Sequence, residues 1–107
     1  MIIATSENIA GHRIVQTLGI ARGGSVRSRI AVSEFSNSLK SVIAGERRGY
    51  EGLQANTREQ ALQRMMRDAQ KLGANAIIAV RFAASSIATG VTEINAYGTA
   101  VIAEWEG

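Results

Sequence analysis

The C-terminal third of the chain is what most constrains its fold. Residues 75–87, NAIIAVRFAASSI, and 91–105, VTEINAYGTAVIAEW, are two apolar runs separated by Ala88-Thr89-Gly90. Such a pair reads as an antiparallel hairpin with a short connection. Strands of this length reach about 40 Å at roughly 3.3 Å per residue. A compact chain of 107 residues has a radius of gyration near 13 Å and a diameter of about 30–35 Å. The hairpin must therefore bend strongly, or project from the rest and pack on something.

Neither face of that hairpin is cleanly polar. Strict alternation puts Ile78, Val80 and Phe82 on one face of the first strand and Ile77, Ala79, Arg81 and Ala83 on the other. In the second strand Ile94, Ala96, Gly98, Ala100 and Ile102 share a face. Glu93, Asn95, Tyr97, Thr99, Val101, Ala103 and Trp105 share the other. One or two helices cover one face of a four-stranded sheet, not both. The economical cover for the second face is another copy of the chain. Small residues (Ala79, Ala83, Ala96, Gly98, Ala100) let backbones approach closely there. The expected interface or pore residues are Ile77, Ala79, Arg81, Ala83, Tyr97 and Trp105. Arg81 either lines a pore or pairs with Glu93 on the adjoining strand.

The rest of the chain reads as follows. MIIAT (1–5) is a candidate first strand, and a turn falls near Ala10-Gly11. Residues 13–23 alternate as a second strand, with Ile14, Leu18 and Ile20 on one face. Gly19 there suggests a bulge or a close backbone approach. Residues 25–32 continue that strand or connect it onward. Residues 33–45 predict a short helix, with Ser33 as N-cap, Phe35, Leu39, Val42 and Ile43 at helical spacing, and Gly45 at its end. A glycine-punctuated loop follows over 45–52. The main helix carries an apolar stripe of Ala61, Leu62, Met65, Met66, Ala69 and Leu72. It starts either at Thr57, where Gln60 completes a capping box, or near Tyr50, and it ends at Gly73.

The expected architecture is α+β: one domain over 1–107, with an antiparallel sheet on one long and one short helix in ββααββ order. Composition narrows the chemistry. There is no cysteine, which excludes disulfides, thiolate catalysis and cysteine-based metal centres. The apolar start is too short for a signal peptide or a membrane span, so a cytoplasmic location and no membrane partner are expected. The net charge of +3 comes without a dense Lys/Arg block, and nucleic acid is not an expected partner.

Several stretches together carry a resemblance. IIATSENIAGHRIVQTLGIARG, AGERRGYEGLQANTREQALQRM, AQKLGANAIIAV and the closing GTAVI look like the YbjQ-like family of small bacterial and archaeal proteins. The most specific parts are Arg48-Gly49-Tyr50-Glu51 with Gly45 before it, Leu72-Gly73-Ala74-Asn75-Ala76, and Gly98-Thr99-Ala100-Val101. The resemblance implies an α+β subunit assembled into a ring, usually a pentamer, as a single or stacked ring. It also implies metal or small-ligand binding. Two departures weigh against a metal ion as cofactor. Positions that commonly carry acidic residues in relatives hold Arg81, Ala83 and Ala84. Where relatives often end the second strand in a glycine–glutamate pair, this chain has Gly23-Gly24-Ser25. Hard and borderline cations would want those carboxylates.

Among candidate sites, His12 is the only histidine. It has no spaced partner ligand, so it reads as a turn histidine at a strand start unless copies of the chain bring ligands together. Met65 and Met66 read as core gap-fillers rather than soft-metal ligands. The stretch Arg47-Arg48-Gly49-Tyr50-Glu51 could cradle an anion, with the arginines clamping phosphate or carboxylate and Tyr50 stacking. The alternative there is an ordered loop in which Tyr50 staples the helix. No nucleophile elbow, paired-carboxylate pattern or phosphate loop is present, so an enzyme is not expected. Three functions stay open: a homo-oligomeric binding protein, an anion- or nucleotide-binding module using Arg47 and Arg48, and a scaffold with no small ligand.

Overall fold

A computed structural model describes the backbone of residues 1–28 and 46–107 and the side chains of residues 1–26 and 57–107. Strands β1 (Ile2–Ile3) and β2 (His12–Ser28) precede helix α1 (Glu46–Lys71). Strands β3 (Ala76–Ala88) and β4 (Val91–Trp105) follow it. They form one four-stranded sheet in the order β1-β3-β4-β2. The described elements thus run ββαββ in an α+β domain. The short helix expected over 33–45 lies outside the described residues.

The sheet is mixed rather than antiparallel. β2–β4 and β3–β4 are antiparallel, but β1 runs parallel to β3, pairing Ile2 with Ala76 and Ile3 with Ile77. The chain enters beside β3 and must leave β1 through a turn before crossing to β2 at the far side. Residues 13–23 and the stretch after them form one strand through Ser28; residues 29–32 lie outside the described residues. The hairpin forms with Thr89 and Gly90 as its turn, Gly90 having a φ of 75°. Its length goes with an elongated shape. The molecule measures 52 × 29 × 21 Å with a radius of gyration of 17.1 Å, well beyond the roughly 13 Å of a compact chain of this size.

Helix α1 begins at Glu46, not at Tyr50 or Thr57, so the expected loop over 45–52 is helical from 46 onward. Gly49 and Gly52 each cost about 1 kcal/mol relative to alanine in a helix, but Glu, Arg, Leu, Gln and Ala around them are good helix formers. The helix ends as read. Gly73 has a φ of 85°, the Ala74 N–H donates to Ala69 O at 3.1 Å and the Gly73 N–H to Gln70 O at 3.0 Å. That pair of bonds is a Schellman closure.

The core lies between α1 and the sheet. Ala61, Met65 and Ala69 pack on Ala21, Ile77, Val80, Ala96 and Ala100, with Leu18, Leu62, Met66 and Ile94 at the margin. Leu72, expected in the helix stripe, is exposed. Small residues on the helix allow a very close approach. A Cβ on Gly23 of β2 would collide with the backbone at Ala61 and Met65. Polar side chains one turn apart fix the same contact. Asp68 Oδ2 accepts from the Arg22 N–H at 3.0 Å, Arg64 donates to Gly24 O at 2.5 Å, and Ser25 donates to Gln60 Oε1 at 2.9 Å. The first two occupy the outer edge of β2 with charged groups, which blocks further strand pairing there.

Bulges correct the expected faces. In β3 the register shifts between Ile78 and Arg81, and Ala79 adopts a φ of 53°. Ile77 and Val80 therefore both face the helix, and Ile78 faces away. The expected grouping of Ile78 with Val80 and Phe82 does not hold. Gly98 lies against this bulge, where a Cβ would sit 2.7 Å from Ile77 Cγ2 and 2.9 Å from Ile78 O. In β2, shifts between Ile14 and Gln16 and between Thr17 and Gly19 separate Ile14 from Leu18. Ile14 packs on the far face and Leu18 against the helix side. Gly19, with a φ of 133°, marks the second bulge and has open space around it.

Candidate interaction surface

The far face of the sheet has two halves. At its base the N-terminal segment provides cover. Ile9 and Ile14 pack on Ala76, Val101 and Ala103, beside Ile78. The segment runs along the outer edge of β3: Ala4 N–H donates to Ile77 O at 2.9 Å, Val80 N–H to Ala4 O at 3.0 Å, and Ala79 N–H to Ser6 O at 2.8 Å. Asn75 ties the base together. Its side-chain amide donates to Ala103 O and accepts from the Ala103 N–H, both at 2.8 Å, acting as one more strand residue.

Beyond Arg81 this cover stops. Every residue of β3 from Arg81 to Ala88 is exposed, including Phe82 and Ile87. Register places the bare far face in rows across three strands. Arg22, Tyr97 and Arg81 form one row, Gly24, Asn95 and Ala83 the next, and Val26, Glu93 and Ser85 the third. Ile20, 72% exposed, lies before the first row. The outer edge of β3 over residues 82–88, FAASSIA, carries no charge and no backbone partner among the described residues.

The sequence-derived site residues separate in the structure. Ile77 lies in the subunit's own core, fully buried. Ala79 is half-buried at the bulge under the N-terminal segment. Arg81, Ala83, Tyr97 and Trp105 are exposed. Arg81 does not pair with Glu93. One of its guanidinium nitrogens donates to Thr5 O at 2.7 Å and Val80 O at 2.8 Å. Glu93 lies opposite Ser85 and accepts from Asn95 Nδ2 at 2.9 Å. Arg47, Arg48, Tyr50 and Glu51 have helical backbone in the first turns of α1, and their side chains lie outside the described residues. Ala84 is exposed on β3.

His12 opens β2 as a turn histidine. Its Nδ1 donates to Ala10 O at 2.9 Å, so Nε2 carries the ring's free lone pair. Its ring meets Trp105 edge-on, with centroids 5.1 Å apart and planes at 68°. Gly11 lies under Trp105, where a Cβ would come within 2.6 Å of the indole. Arg13 and Glu104 pair nearby at 3.3 Å. Among the described residues no three His, Cys, Asp or Glu side chains gather to hold a metal ion, and no helix is long and apolar enough to cross a membrane.

Arg22 was not singled out by its sequence context. Its place beside Tyr97 depends on the bulge at Leu18 and on a pairing between strands far apart in the chain, which alternation along β2 does not report. The glycine at 19 is the one local signal of the shift.

Comparison with known proteins agrees with the fold and the resemblance. A relative from Hahella chejuensis named "UPF0145 protein" is 46% identical over 104 residues, covering 97% of this chain and all of its own length. One of the same name from Methanosarcina acetivorans is 45% identical over 101 residues, covering 94% of this chain and 95% of that protein. A crystal structure of a protein of unknown function from Pediococcus pentosaceus, assigned to the DUF74 family, superposes with a TM-score of 0.59. It covers 97% of this chain and 98% of the other at 16% identity, and so speaks to the fold alone. The model of the YbjQ family, described as "Putative heavy-metal-binding", matches residues 1–104, and the chain belongs to that family.

Proposed function

We propose that the protein is a non-enzymatic binding protein that works as an assembly of identical chains, in a ring as its family resemblance suggests. The single observation that carries this reading is the outer edge of β3 over 82–88. It is long, uncharged and without a backbone partner among the described residues. Folded proteins blunt such edges with charge, proline or cover, because a bare one recruits another chain. The other edge of this sheet is blunted in that way by Asp68 and Arg64, so the contrast lies within one molecule. Exposed Phe82, Ile87, Ile20 and Val26 around the bare region add apolar area that a second copy would remove from water.

The site for a ligand lies between copies. A metal ion finds no ready set of three ligands among the described residues of one chain. The free Nε2 of His12 supplies one donor per copy, and further donors come from neighbouring chains. Native mass spectrometry of the protein purified from its own host tests both parts. A multimer at micromolar concentration, with retained metal or ligand mass, is the expected result; a stable monomer rejects the assembly. Calorimetric titration with zinc, copper and nickel tests the metal. Heat no greater than that of a His12→Ala variant rejects metal binding through this residue.

A further inference from the structure

The Arg22–Tyr97–Arg81 row has a complementary surface elsewhere on the same chain. The two arginines flank Tyr97 in neighbouring strands, which sets their backbones about 10 Å apart at roughly 4.8 Å per strand. All three side chains are exposed on the same bare face. Neither guanidinium has a carboxylate partner among the described residues. Arg81 is held in place by Thr5 and Val80 through one nitrogen, leaving the rest of its fork free. Ile20 lies beside the row and Val26 two rows further along β2. The surface thus asks for a partner with carboxylates around an apolar or aromatic group.

The chain carries such a group at the opposite end of the sheet. Trp105 is 69% exposed, with Glu104, already paired with Arg13, before it and Glu106 after it as the carboxylate left for a partner. The corner is fixed: the Glu106 N–H donates to Gly11 O at 2.8 Å, and Trp105 rests on Gly11 and His12. Tyr97 and Trp105 stand eight residues apart on β4, about 26 Å at 3.3 Å per residue. One chain cannot bring the two together.

We infer that the Glu104–Trp105–Glu106 corner of one copy docks on the Arg22–Tyr97–Arg81 row of the next. This rests on the reading that the chain assembles with itself. Because the two surfaces differ, the contact is head-to-tail, and it closes into a ring where the rotation per step allows. Glu106 pairs with Arg22, whose guanidinium has no partner among the described residues, and the indole covers Tyr97 and the guanidinium faces.

Charge reversal separates this docking from assembly by any other surface. Among the described residues neither the Arg22 nor the Glu106 side chain has a hydrogen-bond or ion-pair partner, so Arg22→Glu and Glu106→Arg are expected to leave the fold intact, which circular dichroism and melting verify. Each single variant is expected to raise the concentration needed for assembly about tenfold or more, as loss of a close charge pair across an interface does. The double variant Arg22→Glu/Glu106→Arg is expected to restore it. Sedimentation velocity over a concentration series reads all four proteins. A wild-type multimer whose mass and assembly range are unchanged in both single variants overturns the docking while leaving the assembly standing. A monomeric wild type overturns the assembly itself. Single variants that assemble normally but lose binding to a fluorescent oligonucleotide would assign the row to nucleic acid instead, and that also overturns the docking.

Discussion

The base and the tip of the sheet are made from the same two strands and have opposite fates. At the base, β3 and β4 are covered on both faces, by α1 on one side and by Ile9 and Ile14 on the other. At the tip, the same strands continue with similar apolar composition, but β3 is exposed from Arg81 to Ala88. The divide is sharp because the cover is short. The N-terminal segment reaches Thr5 and Ser6 against Ala79 and Arg81, then turns away toward β2. Apolar content alone therefore does not say where a strand is buried. What decides is how far the covering segments reach, and on the far face the N-terminal segment stops at the Ala79 bulge.

The largest expected effect lies in the covered half. Ile77 is fully buried in the cluster that α1 makes with the sheet, and Ile77→Ala leaves a cavity there. Destabilisation of about 2–5 kcal/mol is expected, read by urea unfolding. A loss near zero would mean that the base is as loosely held as the tip.

Gly98 sharpens the boundary between the halves. It faces the Ala79 bulge so closely that an added methyl meets Ile77 Cγ2 and the carbonyl of Ile78. The isoleucine can yield, but the carbonyl belongs to a paired strand. Gly98→Ala is expected to cost about 1–3 kcal/mol through overpacking. An unchanged unfolding midpoint would show that the bulge relaxes freely and does not set the register of the tip.

Much of the base was legible in the sequence, and the reasons are local. Met65, Ala61 and Ala69 fall at helical spacing, and Gly73 announces the end of the helix. Both strands of the hairpin follow from their apolar runs. What escaped was set by inserted residues and by contacts distant in sequence. One residue in the left-handed region at Ala79 moves Val80 to the face of Ile77, and no alternating pattern reveals an insertion in advance. Gly49 and Gly52 look like loop punctuation, yet their neighbours carry the helix through them. The parallel pairing of Ile2 and Ile3 depends on which strand happens to stand beside them. The Arg22–Tyr97–Arg81 row is likewise a product of register, created only when three strands align.

A more modest effect is expected at Asn75, which closes the base. Its side chain makes two hydrogen bonds with Ala103. Asn75→Ala leaves that backbone N–H and carbonyl to be satisfied by water at the sheet's end. The expected cost is about 1–2 kcal/mol, at roughly 1 kcal/mol net per hydrogen bond or less. Hydrogen exchange at the Ala103 amide checks it, since protection there should fall more than at Val101.

The smallest effect on the subunit's own stability belongs to the tip, and it is the most telling. Ile87 is 54% exposed beside the second bulge of β3. An isoleucine that rests on little within its own chain contributes little to that chain's folding, whatever its hydrophobicity. Ile87→Ser should change the unfolding free energy of dilute protein by less than about 0.5 kcal/mol, the range of ordinary surface substitutions. Its cost should grow with protein concentration if copies cover the tip, because assembly stabilises the folded state by mass action. Unfolding curves taken across a concentration series distinguish the two. A large loss already present at the lowest concentration would place Ile87 inside its own subunit and erase the difference between tip and base.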